Sequence, residues 1–372
     1  MNDEEYMRLA VELAKKGYGE TNPNPVVGSV IVKNGEIIGQ GYHTRYGCPH
    51  AEVEALNSCT KDPSGATMYV TLEPCCHYGK NPPCTSAIIQ NKISRVVVGS
   101  GDPNPLVATK GIKILKDSGI AVTEHILEEE CTKLNEVFFH YIKNKTPYVV
   151  MKYAMTLDGK IATKTGKSRW ITSDKARESV HMDRHRYMGI MVGVNTVLND
   201  DPMLNCRIEG KKSPIRIICD SNLRTPITSN VVKTAGKYKT IIATLCDDEK
   251  RVEEYIKKGC QIIKQDRKLS KDGEKPGIDL QKLMKDLGES KIDSILLEGG
   301  GTLNYSALES KIVNKVKCYI APKIFGGEEA KTPVAGAGID SPSDAFVLKK
   351  PIIHSFGDDI MLESEVVYCS RA

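Results

Sequence analysis

Aromatic side chains are scarce in this chain, with one Trp and five Phe among 372 residues. Few rings are left on which bases could stack, which counts against a single-stranded nucleic-acid platform. Also missing is any apolar run near the roughly 20 residues needed to cross a bilayer, so a helical membrane protein is excluded. The start, Asn2-Asp3-Glu4-Glu5, is acidic and leads into an amphipathic pattern, whereas a secretory leader is basic and then uniformly apolar. Secretion is therefore not expected, and a cytoplasmic location is. The charge surplus is small, net +5, and lies in one half: residues 1 to 146 carry 15 Lys/Arg against 17 Asp/Glu, and the remainder 37 against 30. That balance lacks the concentrated basic face that a nucleic-acid backbone requires, while it suits small phosphorylated ligands.

Cysteine, by contrast, is plentiful. Twelve cysteines without an export signal read as reduced thiols and metal ligands rather than as a disulfide framework. The length exceeds what one hydrophobic core usually organises, so two domains are expected.

The first half begins with a helix over 3–16, stopped at Gly17. Strands at Val26–Val32 and Ile37–Tyr42 follow, joined at Asn34-Gly35, a hairpin turn signal. Helices from His50 to Ser58, from Cys84 and from Thr109 then alternate with strands at Thr67–Leu72, Arg95–Gly99 and Ile120–Thr123, before one polar helix over Leu127–Lys143. The pattern restarts after Asn144-Lys145-Thr146-Pro147, which places a domain boundary between 1–146 and 147–372. The second half alternates again from Tyr148 to Ala321, so each half reads as an α/β domain. The charged segment Gln265 to Gly277 reads as a solvated loop.

Chemistry concentrates at the helix starts of the first half. His50-Ala51-Glu52 opens one helix; Pro74-Cys75 and Pro82-Pro83-Cys84 follow the next strand. One His and two Cys thiolates leave a fourth tetrahedral position for water, which is how a catalytic zinc site is built. Zinc would lower the pKa of that water to about 7, and Glu52 would carry protons without ligating the metal. Hydrolytic deamination needs both functions: water adds to the amine-bearing carbon, Glu52 protonates a ring nitrogen, and ammonia leaves. Cys75 and Cys84 are farther apart than in the usual P-C-x-x-C, so Cys76 and His77 stand as rival ligands. Cys84 is favoured because Pro82-Pro83 pre-set a helix start, whose positive end would stabilise its thiolate. Cys76 then reads as a pocket-wall residue.

The run Glu73 to Cys84, with Asn22 to Gly28 and Gly41-Tyr42-His43 before it, resembles the bifunctional riboflavin-biosynthesis deaminase/reductase family. The second half resembles the same family in Lys152 to Lys160, Asp200 to Leu204 and Glu298-Gly299-Gly300-Gly301, so the likeness covers nearly the whole chain. It implies a cytidine-deaminase-like α/β/α sandwich followed by a dihydrofolate-reductase-like α/β domain. The first would remove the 2-amino group of 2,5-diamino-6-(5-phosphoribosylamino)pyrimidin-4-one; the second would use NADPH to reduce the ribosyl group of the product to ribityl. In the deaminase half the resemblance implies Asn24, His43, Cys76, His77, Lys80, Asp102 and Asn104 as the substrate shell, with Lys80 on the phosphate.

The second half carries its own signal at Ser294 to Leu303, a strand, a glycine turn and a helix start, which would let a pyrophosphate approach backbone amides. The spacing is not G-x-G-x-x-G, so a Rossmann domain is disfavoured. By the resemblance, NADPH would contact Ala154, Trp170, Thr196, Asp200, Ser221, Gly300, Gly301, Thr302, Leu303, Asn304, Tyr305 and Ser306. Lys152, Ser168, Arg184, Leu204, Arg207 and Glu298 would face the substrate, with Arg184 and Arg207 suited to phosphate and Lys152 and Glu298 as candidate proton donors. Trp170 reads equally as a core residue. The expected partner is a phosphorylated pyrimidine, with neither nucleic acid nor membrane, and a homo-oligomer, dimer or tetramer, is expected. Two other classes compete: a nucleic-acid editing deaminase, opposed by the net negative charge of the first half, and a non-catalytic zinc module, which would have no need of Glu52.

Overall fold

The computed structural model of the chain describes residues 1–78, 82–105, 107–266 and 277–368, and it divides into two units, Met1–Lys145 and Thr146–Ala372. In the first unit α1 (Asp3–Lys15) precedes β1 (Gly28–Lys33), β2 (Glu36–Tyr42), α2 (Ala51–Asn57), β3 (Thr67–Leu72), α3 (Cys84–Gln90) and β4 (Arg95–Ser100). It continues with α4 (Lys110–Asp117), β5 (Ala121–Thr123), α5 (Glu128–Leu134) and α6 (Glu136–Asn144). The strands form one sheet in the order β2-β1-β3-β4-β5. β1 pairs antiparallel with β2 and β3, while β3, β4 and β5 run parallel.

Both faces of this sheet are covered, because its strands are apolar on both sides. Val30, Val32, Tyr69 and Val97 meet α1 and α5 on one face. Ile31, Met68, Val70, Val96 and Val98 meet α2, α3, α4 and Phe138 of α6 on the other. α1 starts with a reciprocal cap: Glu5 N donates to Asn2 Oδ1 at 2.9 Å and Asn2 N to Glu5 Oε2 at 2.7 Å. The Asn34-Gly35 turn has positive φ at both residues, 51° and 77°, as a two-residue hairpin on a twisted ribbon demands.

The single helix expected over Leu127–Lys143 is instead two, α5 and α6, meeting at Asn135. The cause is a buried bridge. Asn135 Oδ1 accepts from Val26 N at 2.9 Å and its Nδ2 donates to Val26 O at 2.9 Å, fixing the helix corner to the strand entry.

The second unit contains β6 (Tyr148–Thr156), α7 (Asp174–Arg186), β7 (Gly189–Gly193), α8 (Val194–Asp200), β8 (Ile215–Cys219), α9 (Asn230–Lys233), β9 (Thr240–Thr244) and α10 (Glu249–Lys257). These are followed by β10 (Gln261–Lys264), α11 (Leu280–Glu289), β11 (Ser294–Leu297), α12 (Gly301–Glu309), β12 (Lys315–Ala321), β13 (Val347–Leu348), β14 (Ile352–Phe356) and β15 (Asp359–Val367). The sheet order is β10-β9-β8-β7-β11-β6-β12-β15-β13, with β14 also on β15. Strands β6 to β12 are parallel, and β15 is antiparallel to β12. α11 and α12 cover one face; α8, α9 and α10 cover the other, and α7 lies on Tyr319 and Met361 beside them.

This order reverses direction beside β7. Chain progression runs outward through β8, β9 and β10, then returns to insert β11 between β7 and β6. In open α/β sheets ligands bind outside the carboxyl ends of the strands at such a switch point. The turn Glu298-Gly299-Gly300 leaves β11 at that place. Of the loop expected at Gln265 to Gly277, residues 267–276 lie outside the described residues. Gln265 is not solvated: it is buried, accepting from Asp279 N at 2.9 Å and donating to Asp279 O at 3.1 Å.

Candidate active sites

His50 is the N-cap of α2, Cys75 lies on the turn after β3, and Cys84 opens α3. Their ligand atoms all fall within 4.8 Å of one another, the one such His/Cys/Asp/Glu group among the described residues. His50 Nδ1 is 3.5 Å from Cys75 Sγ and 3.3 Å from Cys84 Sγ. Zn–N and Zn–S bonds of ordinary length at tetrahedral angles separate N from S by roughly 3.6 Å, so this donor set fits a zinc ion. Two neighbouring thiolates repel, and the pair resolves this by sharing a proton. Hydrogen bonds from Cys84 and His50 draw the Cys75 thiol down to about 4 against the effect of burial, while Cys84 is pushed well above its ordinary range. A divalent cation between them would remove that conflict.

Glu52, the second residue of the same helix, is 3% exposed. Burial, and then the negative charge of Cys75, push its carboxyl up to about 7. The wall beyond is built by His43 and Asn24. His43 Nδ1 donates to Pro49 O at 3.1 Å, which leaves Nε2 to accept from Asn24 Nδ2 at 3.4 Å. Burial lowers the His43 pKa, which suits this neutral tautomer.

These residues border a cavity of about 250 Å³ lined by Asn24, His43, His50, Glu52, Cys75, His77, Asp102 and Asn104 together with Tyr46, Cys48, Glu73, Val107 and Phe138, among others. Cys76, expected on this wall, is half-buried but not among the lining residues. Lys80 lies outside the described residues. Burial raises the Asp102 carboxyl to about 6, and its Oδ1 accepts from Asn104 N at 2.7 Å. The sequence reading missed Tyr46, Cys48, Val107 and Phe138, which carry no motif, and gave Glu73 no role although it precedes Pro74-Cys75.

In the second unit Lys152 of β6, Arg184 of α7 and Glu298 after β11 form one charged cluster. Arg184 Nε and Nη2 donate to the two Glu298 oxygens at 2.8 and 3.0 Å, and Nη1 donates to Asn205 O at 3.2 Å. Two expectations change here. Arg184 has already committed its fork to a carboxylate, which leaves exposed Arg207 as the more available phosphate partner. Glu298, whose burial alone would raise its pKa, is held down to about 2 by Arg184 and then Lys152, so it carries no proton to donate near neutral pH. Lys152 remains as the candidate donor. Its ammonium lies 5.5 Å from the Tyr319 ring centre, and burial lowers its pKa. His181, missed in the sequence, belongs to this cluster: burial and the charges of Arg184 and Arg207 lower it to about 4, and its Nδ1 accepts from Arg207 N at 3.4 Å.

Residues expected around the cofactor gather at the carboxyl ends of the strands, with Thr196 on α8 after β7, Ser221 just past β8 and Gly300 capping α12 after β11. Around Gly300 the space is open, since an added Cβ would meet nothing within 4 Å. Gly301 differs, for its Cβ would lie 2.8 Å from both Thr332 O and the Ala335 side chain. Asn304 Nδ2 donates to Pro333 O and Tyr305 Oη to Gly338 O. Gly301, Asn304 and Tyr305 are therefore engaged by the 332–338 loop; Thr302, Leu303 and Ser306 share the same helix. Asp200 ends α8, exposed, and its carbonyl accepts from Arg169 Nη2 at 3.5 Å. Ser168 and Ala154 are half-buried, Ala154 against the α7 cluster.

Two further readings are corrected. Trp170 is no core residue: it is 58% exposed, with the Arg177 guanidinium 4.3 Å from its ring. The Leu204 side chain packs into the core beside Ile190 and Ile218, so only its backbone, at φ 50°, can face a ligand.

Comparison with known proteins supports this division. Residues 1–100 match the profile of the cytidine and deoxycytidylate deaminase zinc-binding region, and residues 147–362 match that of the RibD C-terminal domain. The riboflavin biosynthesis protein RibD of Actinobacillus pleuropneumoniae is 53% identical over 367 residues, covering 99% of this chain and 96% of that protein. Acinetobacter baumannii RibD is 34% identical, with a TM-score of 0.86 over 98% of this chain and 99% of that one. The Thermotoga maritima diaminohydroxyphosphoribosylaminopyrimidine deaminase/5-amino-6-(5-phosphoribosylamino)uracil reductase is 36% identical, with a TM-score of 0.85 over 98% and 99%.

Proposed function

The chain belongs to the RibD family of riboflavin-biosynthesis proteins, and on that premise we propose how its residues divide the two reactions. The unit 1–146 is the zinc-dependent deaminase of 2,5-diamino-6-(5-phosphoribosylamino)pyrimidin-4-one. The unit 147–372 is the NADPH-dependent reductase of the resulting 5-amino-6-(5-phosphoribosylamino)uracil. The observation that carries this is the convergence of His50, Cys75 and Cys84 beside a buried carboxyl, Glu52, at a cavity that both polar and apolar side chains line.

In the deaminase, His50, Cys75 and Cys84 hold the metal. When bound, zinc supplies the Lewis acidity that makes water a nucleophile near neutral pH. Glu52 takes a proton from the attacking water and delivers it to the ring nitrogen, then carries the proton of the new hydroxyl to the amine, so that the C–N bond breaks, the carbonyl forms and ammonia leaves. Asn24, held by His43, with His77, Asp102 and Asn104, orients the pyrimidine, and Lys80 takes the phosphate.

In the reductase, Thr196, Ser221 and the Gly300 turn would hold NADPH, with Trp170 as a further contact. The cofactor supplies the hydride. Lys152 delivers the proton at the ribose oxygen, Glu298 and Arg184 shape the substrate wall, and Arg207 meets the phosphate.

No helix among the described residues is long and apolar enough to cross a membrane; the cytoplasm is the compartment proposed. A homo-oligomer is supported by apolar exposure along one sheet edge, where Val347, Ile352 and Ile353 are 51%, 41% and 65% exposed. The deciding assay follows ammonia release and NADPH oxidation separately. Oxidation of NADPH should require the deaminated uracil product or a working first unit. Oxidation with the undeaminated pyrimidine after zinc removal would refute this order.

A further inference from the structure

The carboxylate of Glu73 has no part in the chemistry above, yet it is 3% exposed and its hydrogen bonds all come from backbone amides. Oε1 accepts from Gly111 N at 3.0 Å and Ile112 N at 3.2 Å. Oε2 accepts from Thr109 N at 3.0 Å and, more weakly, Asp102 N at 3.4 Å. A charged acceptor is suited to amides that the start of α4 leaves without helical partners.

The position of these amides gives the cluster a second consequence. Glu73 begins the turn that carries Cys75, one of the three converging ligands. The amides it holds flank the 101–109 segment, which brings Asp102, Asn104 and Val107 to the cavity. Asp102 passes the restraint on, since its own carboxylate accepts from Asn104 N at 2.7 Å. The two walls are in close contact here as well: a Cβ on Gly111 would lie 2.1 Å from Pro74 O. A continuous run of hydrogen bonds and backbone contact thus joins the metal-ligand turn to the opposite wall.

We propose that Glu73 is a positioning residue for the deamination, its carboxylate setting the separation between the Asp102–Asn104 wall and the His50, Cys75, Cys84 and Glu52 corner of the cavity. The inference rests on the deaminase reading of that cavity. A residue that only capped α4 would lower stability and leave substrate affinity alone. One that places the binding wall removes interactions made equally in ground and transition states, which raises KM and spares kcat.

The test is Glu73→Gln in the zinc-loaded full chain, with wild type beside it, measuring zinc per chain, kcat and KM for ammonia release from the diamino-pyrimidine. The amide places a donor where two N–H groups now point. The expected result is unchanged zinc, KM raised about tenfold or more and kcat within about threefold. A second variant, Gly111→Ala, pushes α4 from Pro74 with the carboxylate retained and should show the same split. Unchanged KM in either folded variant, or a loss of kcat that tracks loss of zinc, overturns the inference while an active wild type leaves the deaminase reading standing. A wild type that holds zinc and releases no ammonia overturns both. In wild-type protein the Thr109 and Gly111 amides should exchange as slowly as those of β3 and β4; rapid exchange overturns the inference without any variant.

Discussion

Replacing Arg184 by Met should cost far more at neutral pH than in acid, because it strands a charge. Arg184 and Glu298 are 15% and 14% exposed at their side chains and share two hydrogen bonds of 2.8 and 3.0 Å. Removing one partner of a buried pair typically costs about 3–5 kcal/mol, since the other is left uncompensated. The titration of Glu298 gives an independent figure. Its folded pKa of about 2 lies below the ordinary 4.5. A group lowered on folding contributes stability above its unfolded pKa and loses it as pH falls toward the folded one. A drop of that size corresponds to about 3 kcal/mol at pH 7, and only about half of it survives at pH 3.

Trp170 is the only tryptophan and lies in the reductase unit, so its fluorescence during urea unfolding of the full chain reports that unit alone. The gap between wild type and Arg184→Met should be about 3 kcal/mol at pH 7 and shrink by about half at pH 3. Adding Glu298→Leu should restore much of the loss, because an apolar pair of similar volume avoids the stranded charge. A gap independent of pH, or a double variant no better than the single one, would refute the assignment of Glu298 as a buried, ionised partner.

Cys84→Ser should abolish stoichiometric zinc and ammonia release while NADPH oxidation with the deaminated substrate stays at the wild-type rate, as metal analysis and parallel assays would show. Glu52→Gln should keep zinc and lose about 10²- to 10⁴-fold in deamination, the range for a positioned general acid–base. Lys152→Met should show the converse selectivity, with hydride transfer slowed about 10²-fold or more in single-turnover NADPH oxidation and deamination untouched. Asn135→Leu should unpair the Val26 N–H and C=O, destabilising the deaminase unit by about 2–4 kcal/mol, measurable by amide exchange within residues 1–145.

What could be read from sequence follows the distance over which each interaction acts. Thr240–Thr244 and Ser294–Leu297 are legible as strands because each is a short apolar run between polar residues, buried on both faces of a parallel sheet. The Asn34-Gly35 hairpin was legible because the turn requires residues that tolerate positive φ. The hairpin of β14 and β15 was not anticipated. At the sheet edge its strands mix apolar residues with His, Ser, Asp and Glu without a regular period, a composition that also describes a surface loop. The break at Asn135 escaped because its cause lies 109 residues away at Val26.

The two sites divide along the same line. In the deaminase, ligand and acid positions are fixed by local features, namely an N-cap, a strand end and a proline-led helix start, so a motif within 35 residues specified their meeting. In the reductase, the candidate site gathers charges from β6, α7 and the end of β11, and its central pairing spans 114 residues. Composition offers no sign of which of 52 cations will meet which of 47 anions. A buried ion pair therefore changes the role of both members once the fold is known. Arg184, expected to be a free phosphate fork, holds Glu298 ionised, and Glu298, expected as an acid, instead opposes with its charge the lowering that burial imposes on the Lys152 pKa. The electrostatic setting of Lys152, the donor proposed above, thus depends on the Arg184–Glu298 contact rather than on any motif around Lys152 itself.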